Sequence, residues 1–467
     1  MSANTLQSIF KPLGSVPRIR AWEEEIIEIP RPDYVVIPLE YPGQLYYFPK
    51  VELGQQVRRF QIVGSTKLGH CVHAPVSGVV RDVLLVWTAL GYNVPAMLIQ
   101  TNDEPAMPMD ELLQSIETTT ERLNTTRKLK GLGIISPWST SGKFHHEEDK
   151  DYPEVNTIVI KGINEESSVY ILELLLKQRA DVIKKGISRL SDLAPKAKII
   201  LTVPKYLETF AKEQLGPQVT VKALSYEYRD RVEQVVVPKL ANKLIPNTEA
   251  YRDYGVAVLS TEFVINIDEA LDNVQPFVDK YLTIAGTDIP KPRTIKFPIG
   301  TTIKHILSSL GYDRQQYARI LVGGPMKGRA QYTTYTPLTK SSHGLYLMTD
   351  AEIPPEENFT CINCGRCTRV CTANLQVHMI ARYAEYNMLP DTKQYFPEAC
   401  NGCGLCGYVC PAHRPLVQFV EMAKKYGTED DYVPQTECSG GASLERWELD
   451  FQNSDSLAAG AAADRRG

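Results

Sequence analysis

Eight of the ten cysteines fall into two runs of one spacing: Cys361-x2-Cys364-x2-Cys367-x3-Cys371 and Cys400-x2-Cys403-x2-Cys406-x3-Cys410, the second followed by Pro411. A tight loop turning through three cysteines wraps one face of an iron–sulfur cubane. The fourth cysteine lies a turn along the following helix, points the other way, and in two-cluster arrangements ligates the other cluster. The spacing therefore predicts Cys361, Cys364, Cys367 and Cys410 around one [4Fe–4S] cluster, and Cys400, Cys403, Cys406 and Cys371 around a second. The rival is zinc, whose usual signature is two separated C-x2-C pairs; three cysteines at successive x2 intervals, twice over, fit that pattern poorly. Gly365, Gly402, Gly404 and Gly407 meet the need for close backbone approach to the sulfides, and turn glycines would look the same. Thr372 stands where a proline usually follows the fourth cysteine of the first run.

Other residues with chemistry in them have plainer readings. Cys71, in a β-rich stretch, reads as a small buried hydrophobe, and Cys438 as a surface thiol. His145, His146, Glu147, Glu148 and Asp149 resemble a metal site but read as a solvated charged loop. Gly323 to Gly328 (Gly-Gly-Pro-Met-Lys-Gly) reads as a tight turn packed near the cluster region. His378 and His413 flank the cysteine loops, where a ring N–H would raise a cluster potential. Arg366 and Arg369, set between ligands, either offset cluster charge, meet an acidic partner or are solvated.

The elements that position these residues follow from composition and pattern. A chain of 467 residues exceeds one core of ordinary size, so several domains are expected. The 51 basic and 55 acidic side chains leave a formal charge of −4, without the basic excess that nucleic-acid binding requires. No run approaches the roughly 20 apolar residues that span a bilayer; the best, Val79 to Gln100, is broken by Arg81, Asp82 and Asn93. The first twenty residues lack the apolar stretch of a secretory signal, and clustered cysteines fit a reducing cytoplasm. Residues 30–105 pair Val51 to Val63 with His73 to Val80, each read as strand, turn, strand. Residues 125–275 alternate apolar runs (Thr157 to Ile160, Lys198 to Val203, Val219 to Leu224, Gly255 to Leu259) with helical patterns, which predicts α/β layering on a largely parallel sheet. Residues 280–350 carry two strands, a helix over Thr301 to Leu310 capped by Thr301, and a further strand at Arg319 to Val322, in the manner of a β-grasp. Residues 355–428 place the cysteines between helices at Leu375 to Tyr386 and Leu416 to Lys425. Residues 440–467 read as a disordered tail.

In order, these parts resemble the C subunit of the Rnf electron-transport complex over about 400 residues, most sharply from Thr283 to Lys424 and at Val322 to Gly328 and Cys410 to Ala412. The flavoprotein subunit of respiratory complex I and the cobalamin reductases are related. The resemblance implies a multidomain α/β and β chain: a barrel-sandwich hybrid, a Rossmann-like α/β domain like the complex I flavoprotein, an SLBB-like β-grasp unit and a ferredoxin-like domain with two [4Fe–4S] clusters. It implies a peripheral subunit on the cytoplasmic face of the cell membrane, partnered by the other subunits of an ion-translocating oxidoreductase of the ferredoxin:NAD+ type and by a soluble carrier such as ferredoxin.

In that family the α/β domain carries FMN and takes hydride from NADH, through segments like G-x-G-G-A-x-F-P-T and N-G-x-E-C-E-P. Here these read Gly131 to Ser139 and Lys161 to Ser167. Ile134 and Ile135 put branched side chains where a flavin phosphate wants bare backbone, and Asn164 and Glu165 replace the acid and the cysteine. Gly131, Gly133, Gly162 and Glu166 are what is left of an FMN and NAD site. The expectation is an α/β domain that keeps the fold without the flavin chemistry, making the chain a relay rather than a catalyst. The alternative is an FMN-containing NADH dehydrogenase feeding both clusters.

Overall fold

The computed structural model describes residues 25–41, 45–67, 69–119, 125–134, 154–225, 227–289, 291–353 and 360–427. Among the described residues β1 (Ile27–Glu28) comes first, followed by two facing sheets built from β2 (Tyr34–Pro38), β3 (Glu40–Tyr41), β4 (Leu45–Tyr46), β5 (Phe48–Pro49), β6 (Gln56–Val57), β7 (Ile62–Ser65), β8 (Cys71–His73), β9 (Gly78–Trp87) and β10 (Asn93–Thr101). One sheet runs β2-β10-β9-β6, the other β5-β7-β8, and β3 pairs with β4. Alternating apolar residues from both sheets, among them Val35, Ile37, Val57, Val63, Val72, Val80, Met97 and Ile99, meet in one core. The two halves read from the sequence do interlock: β6 pairs with β9, setting Val57 opposite Gly78. Gly78 is required there, because a Cβ would lie 2.0 Å from the Gln100 carbonyl oxygen. The expected strand at Val51 is shorter than predicted. Only Gln56–Val57 pairs, since residues 51 to 55 turn through Gly54 at φ +80°.

After α1 (Met109–Thr119) and α2 (Thr125–Gly131), four strands form a parallel sheet: β11 (Thr157–Lys161), β12 (Lys198–Pro204), β13 (Thr220–Leu224) and β14 (Val256–Ser260), in the order β13-β12-β11-β14. The helices are α3 (Ile171–Gln178), α4 (Ala180–Leu193), α5 (Glu208–Leu215), α6 (Glu233–Ala241) and α7 (Thr261–Asn273). Ile158 and Ile160 pack with α3, α4, α5 and α7, and Val159 packs with Val236 and Val237 of α6. A sheet covered on both faces needs continuous apolar strands, which is why these runs were legible.

The third sheet comprises β15 (Asp279–Gly286), β16 (Arg293–Pro298), β17 (Arg319–Val322), β18 (Arg329–Gln331) and β19 (Gly344–Met348), with α8 (Ile303–Ser309) packed on it. Its order is β1-β16-β15-β19-β17-β18, so β1 joins it in parallel register with β16. The helix cap is Thr302, not Thr301: the Thr302 hydroxyl accepts from the His305 amide at 3.3 Å, while Thr301 donates to the Pro298 carbonyl at 2.6 Å. Neighbouring threonines offer the same cap chemistry, and local sequence does not choose between them. The last part holds α9 (Arg366–Val370), α10 (Val377–Glu385), α11 (Leu405–Tyr408) and α12 (Leu416–Tyr426). There α10 and α12 bury Ile380, Ala381, Leu416 and Val420 against the cysteine loops.

Candidate metal centre

The two cysteine loops share a backbone path. Asn363 and Gly402, just before the second cysteine of each run, and Gly365 and Gly404, just after it, all take positive φ. Gly365 and Gly404 are also the N-caps of α9 and α11. The left-handed residues turn the chain sharply, so that the third cysteine, Cys367 or Cys406, comes off the first turn of a short helix. Only glycine and asparagine take that conformation cheaply.

The structure gathers the eight cysteines into two rings. One cavity is lined by Cys361, Cys364, Cys367 and Cys410, with His378 and Arg366 beside them. The other is lined by Cys371, Cys400, Cys403 and Cys406, with Thr372, Asn401 and Gly402. In both, three cysteines come from one run and the fourth from the other, the grouping expected from the spacing. Among the described residues, no three His, Cys, Asp or Glu side chains converge on a position for one metal ion. Four thiols in each ring match the donor set of a [4Fe–4S] cluster. Burial pushes the Cys400 thiol up to about 11 and raises those of Cys406 and Cys367, so loading with iron must expel protons from neutral thiols.

The rings differ in their surroundings. Over the second, Cys403 and Leu405 pack with Tyr228, Val232, Val370 and Met326. The Tyr228 hydroxyl donates to the Cys403 carbonyl at 2.9 Å, and a Cβ on Gly404 would lie 2.3 Å from the Met326 carbonyl oxygen. Gly323 to Gly328 is thus a turn pressed onto the second ring, as its composition predicted. Donors also reach this ring's sulfurs: Leu375 N–H to Cys371 Sγ at 3.3 Å, Gly402 N–H to Cys400 Sγ at 3.4 Å, and Thr372 Oγ1–H to Cys403 Sγ at 3.7 Å. Thr372 is held in turn by Asn401 Nδ2 at 2.9 Å. In the first ring Cys367 accepts from Thr368, whose hydroxyl meets His378 Nδ1 at 3.2 Å, so His378 acts one residue removed. His413 takes φ 46° in the turn after Cys410.

Hydrogen bonds to cluster sulfurs raise the reduction potential. Thr372→Val removes one donor, so the second cluster should become harder to reduce by roughly 20–60 mV, the equivalent of a hydrogen bond worth about 0.5–1.5 kcal/mol. A redox titration followed by electron paramagnetic resonance reads this; an unchanged midpoint would show that the hydroxyl does not tune the site.

Gly131, Gly133, Gly162 and Glu166 are each engaged by the protein itself. A Cβ on Gly131 would lie 2.7 Å from Ile116 Cγ2. The Gly133 carbonyl accepts from Lys340 Nζ at 2.6 Å. A Cβ on Gly162 would lie 2.8 Å from the Thr202 carbonyl oxygen, and Glu166 accepts the backbone N–H groups of Met326 and Lys327. Burial raises the pKa of Glu166 against the pull of those amides. Ligands of parallel sheets sit at the carboxyl ends of the strands. Here the end of β11 carries Lys161, paired with Glu233 and Glu165, while Lys327 pairs with Glu165 at 2.9 Å. Burial works to lower the Lys161 pKa, but Glu233 and Glu165 outweigh it and hold it raised. Ile134 is buried in the core.

Cys71 is buried in β8, its thiol pushed up to about 11 by burial. Residues 135–139 of the glycine segment, His145 to Asp149, Cys438 and the tail lie outside the described residues. Sequence reasoning missed Tyr228, Asn401 and the Lys161–Glu233 pair; only the glycine density at Gly323 to Gly328 signalled the contact over the second ring.

Comparison with known proteins matches residues 354–427 to a 4Fe-4S dicluster domain and residues 17–104 to the RnfC barrel sandwich hybrid domain. The chain is 25% identical over 386 residues to the C subunit of the proton-translocating ferredoxin:NAD(+) oxidoreductase complex of Clostridium ljungdahlii, covering 79% of this chain and 83% of that protein. It is 26% identical over 421 residues to the C subunit of the Na(+)-translocating ferredoxin:NAD(+) oxidoreductase complex of Acetobacterium woodii, covering 86% and 94%. Among solved structures, an NAD+-reducing [NiFe]-hydrogenase in the air-oxidized state aligns at TM-score 0.37 and 15% identity, over 69% of this chain and 68% of that one.

Proposed function

Taking the chain as a relative of the C subunits of Rnf ion-translocating oxidoreductases, we propose that it is an electron-transfer subunit of such a complex, working through two [4Fe–4S] clusters without an FMN or NADH site of its own. The observation that carries the reading is the pair of four-cysteine rings, each completed by a cysteine of the other run. Cys361, Cys364, Cys367 and Cys410 would hold one cluster, and Cys371, Cys400, Cys403 and Cys406 the other. Each, when bound, supplies a one-electron store. The chain's own part is to hold both rings in one helical unit, to aim Leu375, Gly402 and Thr372 donors at the second, and to shut water from it with Tyr228, Met326 and Leu405.

The closed flavin doorway is supported by the occupied glycines, by the engagement of Glu166 with the 323–328 turn, and by the ion pairs at the end of β11. The strand order β16-β15-β19-β17-β18 with α8 packed on it supports assigning residues 280–350 to an SLBB-like β-grasp unit. Among the described residues no helix is long and apolar enough to cross a membrane. With relatives that belong to multisubunit complexes, we place the chain on the cytoplasmic face, held by its partners and exchanging electrons with a soluble carrier.

Anaerobic loading of the purified chain with iron and sulfide should give about eight iron atoms, two cubanes' worth. FMN should not bind in stoichiometric amount, and NADH should leave the visible absorbance of the clusters unchanged. Stoichiometric FMN, with bleaching on NADH, would overturn the closed doorway and make the chain an NADH dehydrogenase.

A further inference from the structure

The turn over the second ring is held from behind by a carboxylate. Glu166, 8% exposed, accepts the backbone N–H groups of Met326, at 3.3 Å, and of Lys327. A Cβ on Gly324 would lie 2.4 Å from Glu166 Oε2, so the turn needs a glycine there to admit the carboxylate. On the other side of the turn, the Met326 carbonyl oxygen would lie 2.3 Å from a Cβ on Gly404, the residue after Cys403. Only that turn separates the carboxylate from the loop of the second ring. Facing Glu166 are Lys327 from the turn, Glu165 beside it in sequence, and Tyr228 and Arg231 from the segment before α6. Glu165 is committed to Lys161 and Lys327, and Glu233 to Lys161. Arg231 is 2% exposed; its Nη1 donates to the Asn164 carbonyl at 3.2 Å, while Nε and Nη2 have no hydrogen-bond partner among the described residues. Lys161, Lys327 and Arg231 thus balance Glu165, Glu233 and an ionised Glu166. Protonating Glu166 leaves one positive charge in excess.

We propose that Glu166 is a proton acceptor coupled to the second ring: when the cluster held by Cys371, Cys400, Cys403 and Cys406 gains an electron, Glu166 takes up a proton. The inference rests on the electron-transfer role proposed above and adds a proton to it. Reduction puts one more negative charge on a partly buried site, where charges interact more strongly than in water. Among the described carboxylates of this group, Glu166 alone has no ion-paired cation, so it is the one whose charge is most readily given up. Burial already holds its pKa above the usual carboxylate range, against the pull of the two amides. A negative charge added nearby raises it further. The balance is one electron from the donor to the cluster and one proton from solvent to Glu166 Oε2, the oxygen with the longer amide bond. One O–H bond forms and none breaks. By linkage the proton favours the electron as much as the electron favours the proton.

The test is a redox titration of the full chain, loaded with iron and sulfide and followed by electron paramagnetic resonance, repeated from about pH 5 to about pH 9. Iron content is read first for every variant. One of the two midpoints should fall as pH rises through a window that begins above the usual carboxylate range. The fall should reach at most a tenfold change in the reduction equilibrium per pH unit, about 59 mV for one electron. Glu166→Gln, which imitates the protonated acid, should flatten that midpoint near its acid-side value and leave the other alone. In Gly324→Ala the new methyl group meets only the end of the Glu166 side chain; it should push the carboxylate toward water and move the window to lower pH. Redox-difference infrared spectra of the unmodified chain should gain a carboxylic-acid C=O band on reduction, a reading that depends on no variant. Failure of the unmodified chain to hold its clusters would defeat the electron-transfer reading itself. Full clusters whose midpoints ignore pH, whose reduction raises no acid band, or whose pH dependence survives Glu166→Gln unchanged would defeat only the proton coupling.

Discussion

Cys361→Ala combined with Cys410→Ala should leave about four iron atoms per chain, whereas Cys361→Ala combined with Cys371→Ala should leave almost none. Each pair removes two cysteines, and the difference lies in whether they share a ring. Cys410 lines the cavity of Cys361, Cys364 and Cys367, while Cys371 lines that of Cys400, Cys403 and Cys406. The cause is local. Cys371 closes α9, a helix of only five residues, and turns away in an extended conformation at φ −59° and ψ 124°, too soon to come back to the loop it follows. It points instead toward Cys406, whose thiol feels its charge. Ligation of each fourth cysteine within its own run would reverse the two results, so iron analysis of the two double variants decides the pairing.

Lys280→Met should destabilise the chain by about 3–5 kcal/mol, and adding Glu262→Leu should recover most of that. The Lys280 ammonium is 0% exposed and the Glu262 carboxylate 4% exposed, and they pair across the seam between β15 and α7. Glu262 also accepts the Tyr281 amide at 3.4 Å, and Lys280 Nζ stands 3.2 Å from His343 Nδ1. Removing the lysine alone strands a buried carboxylate with its desolvation uncompensated. Removing both charges leaves an apolar contact of similar volume. Thermal unfolding of the cluster-loaded chain measures both; a double variant as unstable as the single one would show that the pair holds the seam through more than charge compensation.

What was legible in the sequence is what local physics dictates. Metal ligation fixes cysteine spacing, so the rings were readable from Cys361 to Cys410 alone. Parallel strands buried on both faces must be apolar throughout, which marked Thr157–Lys161 and Val256–Ser260. The helix at Leu416–Tyr426 carried its own periodicity. Contacts between distant segments were not legible. Glu166 reads as a remnant of a flavin motif, but its carboxylate is engaged by amides about 160 positions away, and Tyr228 gives no sign of the Cys403 carbonyl it meets. Nor does Asn401 give any sign in the sequence of its hydrogen bond to Thr372.

The pairing of β1 with β16 sets Ile27 beside Ile295. At about 5–20 residues per second, a ribosome takes roughly 15–50 s to make the intervening chain. The two-sheet unit of residues 34–101 and the parallel sheet both emerge complete in that interval, while Ile27 and Glu28 wait for their neighbour. The first strand among the described residues is therefore placed only after both of those units, and its docking reports that nearly two-thirds of the chain has already been made.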